Sequence, residues 1–96
     1  MHANKIFLFI LVYNCQNELE KTIKKIKVFY HFFDEIIFIN NNSTDNSLKI
    51  LKKYIRQKKT KKIKIINNKS NFGQGGSHKV AFEYSYKNNA NFCTIY

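Results

Sequence analysis

The sequence predicts an α/β fold in the order β-α-β-α-β-α-β, built on a mainly parallel sheet. Three observations carry that expectation. Short, continuously apolar runs alternate with longer stretches whose apolar residues recur every three or four positions. Strands that alternate with helices in this way are joined by crossovers and pair in parallel. Polar clusters also follow each of the first three apolar runs, where the carboxyl ends of parallel strands present their binding groups.

Ile6 to Val12 is apolar throughout, as a strand covered on both faces must be. The run Ile6 to Tyr13 is too short to span a bilayer, and Asn14, Cys15, Gln16 and Asn17 stand where a leader would carry a small-residue cleavage site. The first helix is expected to begin at Asn17, with Glu20 three residues on completing a capping box. Leu19, Ile23, Ile26 and Tyr30 supply its apolar face. Glu35 to Ile39 reads as a second buried strand and runs into the polar cluster Asn40 to Asp45. Leu48, Leu51 and Ile55 mark a second helix that fades into a lysine run. Lys62 to Ile66 alternates more and suits a strand at the sheet edge. A glycine-bearing loop, Asn67 to Gly76, leads to a short helix from about Ser77 to Tyr86, and Phe92 to Tyr96 forms a fourth strand.

Composition narrows the function classes. At 96 residues the chain is one domain or less, and its nine Phe and six Tyr provide a core rather than a disordered tail. Two cysteines, Cys15 and Cys93, are too few and too far apart for a disulfide framework or a zinc site, so reduced thiols in a cytoplasmic protein are expected. The net charge of +11 raises nucleic acid as a partner. Against it, the lysines between Lys49 and Lys64 lack interleaved aromatic residues, and Lys far outnumbers Arg. A solvated basic face is the simpler reading, with attraction to anionic lipid headgroups as the other.

The segment Asn40 to Ser47 ends a strand in short polar side chains and opens a helix, which offers free N–H groups and hydroxyls to an anionic or hydrogen-bonding ligand. Ser43, Thr44 and Asp45 are also preferred helix caps, so the cluster alone does not choose between the two roles. Asn71-Phe72-Gly73-Gln74-Gly75-Gly76-Ser77 brings backbone within reach of a phosphate, but lacks the Gly-Lys-Ser/Thr ending of a Walker loop. Glu18 and Glu20 suit the first turn of a helix whatever their chemistry. His2 and His31 have no partner at metal-ligand spacing, and no Ser–His–Asp or Cys–His set is legible.

Taken in order, Ile10 to Asn14, Glu18, Ile39 to Ser47 and Asn71-Phe72-Gly73 before a helix resemble the start of the family 2 glycosyltransferases. The resemblance runs from about Ile6 to Tyr96, and the Asn-Ser-Thr-Asp-Asn-Ser block is its most specific part. It implies a GT-A fold, a Rossmann-like three-layer domain that binds a nucleotide-sugar, often with UDP as the nucleotide. By position, Tyr13 would stack on or flank the base, and Leu11 would belong to the same nucleotide site. Asn40 and Asn41 would contact base and ribose, with Ser43 supporting the turn. Glu18, Asn71, Gly73, His78 and Lys79 would complete the nucleotide site.

The sequence departs from the family at several of these positions. Leu11 replaces the usual Pro. Asn40 and Asn41 are both amides where family members carry at least one Asp, and a neutral acceptor bonds a uracil imide more weakly than a carboxylate does. His78 replaces a frequent Arg, which would make a diphosphate contact sensitive to pH. The family's Asp-x-Asp motif, which holds Mg²⁺ or Mn²⁺, follows the strand matching Phe92 to Tyr96, so the resemblance implies no metal ligands in this chain. Residues 1–96 are thus expected to be a partial nucleotide-sugar-binding domain of an enzyme that transfers a sugar to a glycan or lipid-linked acceptor. The fragment alone is expected to be inactive, and to act in the cytoplasm or at the cytoplasmic face of a membrane. The alternatives are a non-catalytic nucleotide-binding module and a basic protein of nucleic acids or membrane surfaces.

Overall fold

The computed structural model describes residues 5–96; His2, to which no role was assigned, lies outside them. Four strands form one all-parallel sheet: β1 (Ile6–Val12), β2 (Glu35–Asn40), β3 (Ile63–Asn67) and β4 (Phe92–Ile95). Their order is β3-β2-β1-β4. Three helices connect them: α1 (Gln16–Phe29), continued by a 3₁₀ turn at Tyr30–Phe32, α2 (Ser47–Lys58) and α3 (Gly73–Lys87). The α/β, Rossmann-like reading of the sequence is what the structure has, and β3 lies at an edge as expected.

Alternate residues of each strand serve opposite faces, because successive side chains point to opposite sides of a sheet. Leu8, Ile10, Val12, Ile36, Phe38 and Ile63 pack with Leu19 and Ile26 of α1 and Leu51 and Tyr54 of α2. Phe7, Phe9, Ile37 and Ile39 pack on the other side with Ala81 of α3. The central strands are therefore buried on both faces, which explains why their sequences are continuously apolar. The β3 edge is guarded by Lys62 and Lys64, charges that discourage pairing with another chain, whereas β4 carries no charged residue.

Two helix starts differ from expectation. α1 begins at Gln16, its N-cap is Cys15, and no side chain of its own caps it, so the predicted Asn17–Glu20 box does not form. The cap comes from elsewhere. The Asp45 carboxylate accepts the Gln16 N–H at 3.2 Å and the Ser47 N–H at 2.9 Å, while Gln16 Oε1 accepts the Asn46 N–H at 2.8 Å. α1 and α2 thus cap each other. Desolvation pushes the Asp45 carboxyl up, but the hydrogen bonds from Ser47 and Gln16 prevail and hold it below its ordinary value. α3 begins at Gly73, before the predicted Ser77, because the glycines form its first turn rather than a loop. Gly73 takes φ +73°, a left-handed turn that glycine adopts without strain, and a Cβ on Gly76 would come within 2.5 Å of Phe72 Cβ.

The far half of α3 is tied to the sheet by Tyr84. Its ring lies 5.7 Å from Phe7 and 6.0 Å from Phe9, centroid to centroid. Its hydroxyl donates to Glu35 Oε1 at 2.6 Å and accepts from Lys64 Nζ at 3.3 Å, and Lys64 pairs with Glu35 at 3.0 Å. Burial and the Glu35 bond raise the Tyr84 hydroxyl above its ordinary pKa, and the Glu35 bond raises Lys64 likewise. Groups raised in the folded state contribute stability that is complete below their unfolded values and lost as pH climbs through the folded ones. The share of stability that Tyr84 and Lys64 contribute is therefore expected to hold to about pH 10 and to be lost above it. Tyr54, raised by burial, adds to the loss. Tyr84→Phe keeps the ring contacts, should cost about 1 kcal/mol at neutral pH, and should flatten part of the alkaline decline. Urea unfolding at stepped pH measures both, and an unchanged alkaline slope in the variant would contradict this account.

Candidate functional site

In this strand order the chain moves outward from β1 through β2 to β3 and then returns across the sheet to β4 beside β1. The reversal opens a crevice at the carboxyl ends of the strands, the usual ligand position in open α/β sheets. A cleft of about 390 Å³ lies there, lined by Leu11 and Val12 at the end of β1, Tyr13 and Cys15 after it, Asn41 after β2, and Asn71, Gly73, Gln74 and Ser77 around the start of α3.

The rim is built from asparagines. Asn14 and Asn42 take positive φ, 45° and 59°, which Asn tolerates better than most residues. The Asn14 N–H donates to Ser43 Oγ at 3.1 Å, and Asn14 Oδ1 accepts the Thr44 N–H at 2.7 Å. This clamps the end of β1 to the β2–α2 loop. Asn40 Nδ2 donates to Asn67 Oδ1 at 3.0 Å, and its Oδ1 accepts the Ser43 N–H at 3.2 Å. The buried Asn41 is the hub. Its Oδ1 accepts Asn68 Nδ2 at 3.0 Å and the Phe72 N–H at 2.9 Å, and its Nδ2 donates to Asn71 Oδ1 at 2.7 Å. Asn71 Oδ1 in turn accepts the Gly73 N–H at 2.8 Å.

Five of the residues singled out in the sequence, Leu11, Tyr13, Asn41, Asn71 and Gly73, meet at this cleft. Asn40 and Ser43 brace the loop behind it rather than line it. Glu18 is exposed on the first turn of α1. His78 and Lys79 sit on α3, past its glycine turn, outside the lining. Gln74 and Ser77 fall in the glycine-bearing segment singled out in the sequence, without having been named individually as site residues, whereas Val12 and Cys15 were not anticipated. Cys15 follows Asn14 directly, so its place next to a strand end was the available signal. Its thiol is pushed up by burial, against the opposing bonds from Tyr13 and Ser47, and stays protonated at neutral pH. Cys15 and Cys93 are both free.

Residues 7–89 match the profile of Glycosyl transferase family 2. The chain belongs to this family. Comparison with curated proteins gives no match. As a family 2 glycosyltransferase domain, the chain implies a nucleotide-sugar donor and an acceptor, and members of the family generally use a divalent cation. Among the described residues no cluster of three or more His, Cys, Asp or Glu side chains is placed to hold a metal. Both oxygens of Asp45 already accept helix N–H groups, and no carboxylate lines the cleft. The donor set among the described residues does not fit a resident cation. Among the described residues, no helix is long and apolar enough to cross a membrane.

Proposed function

We propose that this glycosyltransferase domain binds a UDP-type nucleotide-sugar in the cleft between the ends of β1 and β2 and the start of α3, for glycosyl transfer to a glycan or lipid-linked acceptor. The observation that carries the reading is the convergence of Tyr13, Asn41, Asn71 and the glycine turn on one cleft at the strand-order reversal. Each part has a chemistry suited to the ligand. Tyr13 is half exposed and presents a ring face on which a base can stack. The amide oxygens of Asn41 and Asn71 are taken up by the rim network, but their Nδ2 groups keep N–H donors of the kind a uracil carbonyl accepts. The first N–H groups of α3 have no partner within the helix and lie at its positive end, which suits a diphosphate. At Gly75 a Cβ would meet nothing within 4 Å, so the backbone is open to approach there.

Calorimetric titration with UDP and with ADP tests the reading. UDP should bind more tightly than ADP, and Tyr13→Ala should weaken UDP by roughly 5- to 150-fold, the share of one stacked base. The melting temperature should stay unchanged, because Tyr13 is on the rim. Failure of UDP to bind at millimolar concentration would sink the proposal. No carboxylate lines the cleft, so the 96-residue chain is expected to bind without turnover. That uncharged lining also fits a non-catalytic nucleotide module. Transfer by a longer polypeptide that includes this domain would decide for the enzyme.

A further inference from the structure

The end of the molecule remote from the cleft combines exposed apolar side chains with a concentration of positive charge. α1 runs back along the sheet, so its last turn and the 3₁₀ turn come to the amino-terminal ends of the strands, where the Asp34 carboxylate and N–H bond the backbone of Ile6. There Val28 is 74% exposed, Phe29 53% and Phe32 72%. Phe32 follows Phe29 by three residues and Val28 by four, so all three are exposed within one turn at the end of α1. The core does not need them, since α1 buries Leu19 and Ile26 instead.

The surroundings are basic. Lys21, Lys24, Lys25 and Lys27 are exposed on the same helix. Lys58 and Lys62, from the end of α2 and the approach to β3, place their ammonium groups 5.1 and 4.2 Å from the centre of the Tyr30 ring. That cation–π contact holds two further charges at Tyr30, the residue that follows Phe29 in the chain. The nearby carboxylates are engaged: Asp34 accepts the Ile6 N–H, and Glu35 pairs with Lys64.

We propose that this end docks on anionic lipid bilayers, with Val28, Phe29 and Phe32 seated in the headgroup–acyl boundary and Lys24, Lys27, Lys58 and Lys62 against lipid phosphates. Exposed apolar side chains ringed by lysines match a charged interface with hydrocarbon beneath it. A nucleic acid would leave Val28 without a counterpart and would favour arginine, of which the chain has one, Arg56. The membrane attraction expected of the Lys49 to Lys64 run thus moves to the end of α1, sharing only the lysines around Tyr30. In this orientation the cleft faces away from the bilayer. None of these residues lines the cleft, so the proposal is independent of nucleotide binding.

Co-sedimentation of the full chain with phosphatidylcholine vesicles, with and without phosphatidylserine, tests it. Binding should require phosphatidylserine and weaken as salt is raised. Lys24→Gln and Lys27→Gln should each reduce affinity about fivefold, the share of one lysine at an anionic surface. Val28→Ser combined with Phe32→Ser should reduce it at least tenfold, as expected for two apolar side chains withdrawn from hydrocarbon. Circular dichroism and UDP titration should be unchanged in all variants, since every substituted residue is exposed. Equal binding to neutral vesicles, undiminished binding by the Val28/Phe32 variant, or tighter binding to single-stranded RNA than to anionic vesicles would each overturn the proposal.

Discussion

Asn41→Ala is expected to lower the melting temperature by roughly 10–20 °C and to abolish nucleotide binding in the fraction that remains folded. Asn41 is buried, and its amide serves three partners at once: Asn68, the Phe72 N–H and Asn71. Truncation leaves the Phe72 N–H without an acceptor and leaves Asn68 Nδ2 with only Ser77 Oγ at 3.4 Å. Orphaned buried groups cost about 1–3 kcal/mol each, and a domain of this size loses about 4–8 °C for each kcal/mol. Asn41→Asp should fall between the variant and the native chain. A carboxylate keeps both acceptor roles but faces Asn71 Oδ1 across the 2.7 Å contact. The Asn71 amide can turn to donate, but then releases the Gly73 N–H. Thermal unfolding followed by circular dichroism separates the three proteins, and an Asn41→Ala variant melting within a few degrees of the native chain would refute the hub role.

Phe38→Ala should be the more damaging of the two. Phe38 lies in β2 between Ile10 of β1 and Ile65 of β3, fully buried. Its ring meets Tyr54 of α2 edge-on, with centroids 6.3 Å apart and planes at 88°. Removing a buried Phe costs about 3–5 kcal/mol, a large part of the 5–15 kcal/mol that holds a domain together. Because β2 carries Asn40 and Asn41 at its exit, UDP affinity should fall in step with the folded fraction rather than independently of it. Phe38→Leu, which preserves most of the volume, should cost less than about 1.5 kcal/mol. Urea midpoints give the comparison directly. Equal midpoints for the Ala and Leu variants would show that Phe38 is not the packing centre described here.

The strands were legible because burial on both faces leaves no polar interruption: Ile6 to Val12 and Glu35 to Ile39 could be read almost to the residue. The helix starts were less so, for a physical reason. Gln16 is capped by Asp45, 29 residues away, and no local pattern announces a cap of that kind. Gly73 to Gly76 looked like a loop because glycine is a poor helix former, yet Gly76 is required by the approach of Phe72. The cleft was half legible. Tyr13, Asn41, Asn71 and Gly73 carry a recognisable order and spacing, whereas Gln74 and Ser77 line the cleft from the first turns of α3, which the sequence read as loop up to Gly76. That Asn41 is occupied by Asn68, Phe72 and Asn71 could not be foreseen, since its partners lie 27 to 31 residues on.

The carboxylate shared by α1 and α2 has a consequence for how the protein opens. Hydrogen exchange at the first amides of a helix normally reports fraying of that helix alone. Here the Gln16 and Ser47 amides hang on one Asp45 side chain, and the Asn46 amide hangs on Gln16 in return. Fraying of α1 at Gln16 therefore takes an acceptor from the Asn46 amide of the other helix, and movement of Asp45 releases both Gln16 and Ser47. Exchange at these three amides is expected to be correlated rather than to report each helix alone.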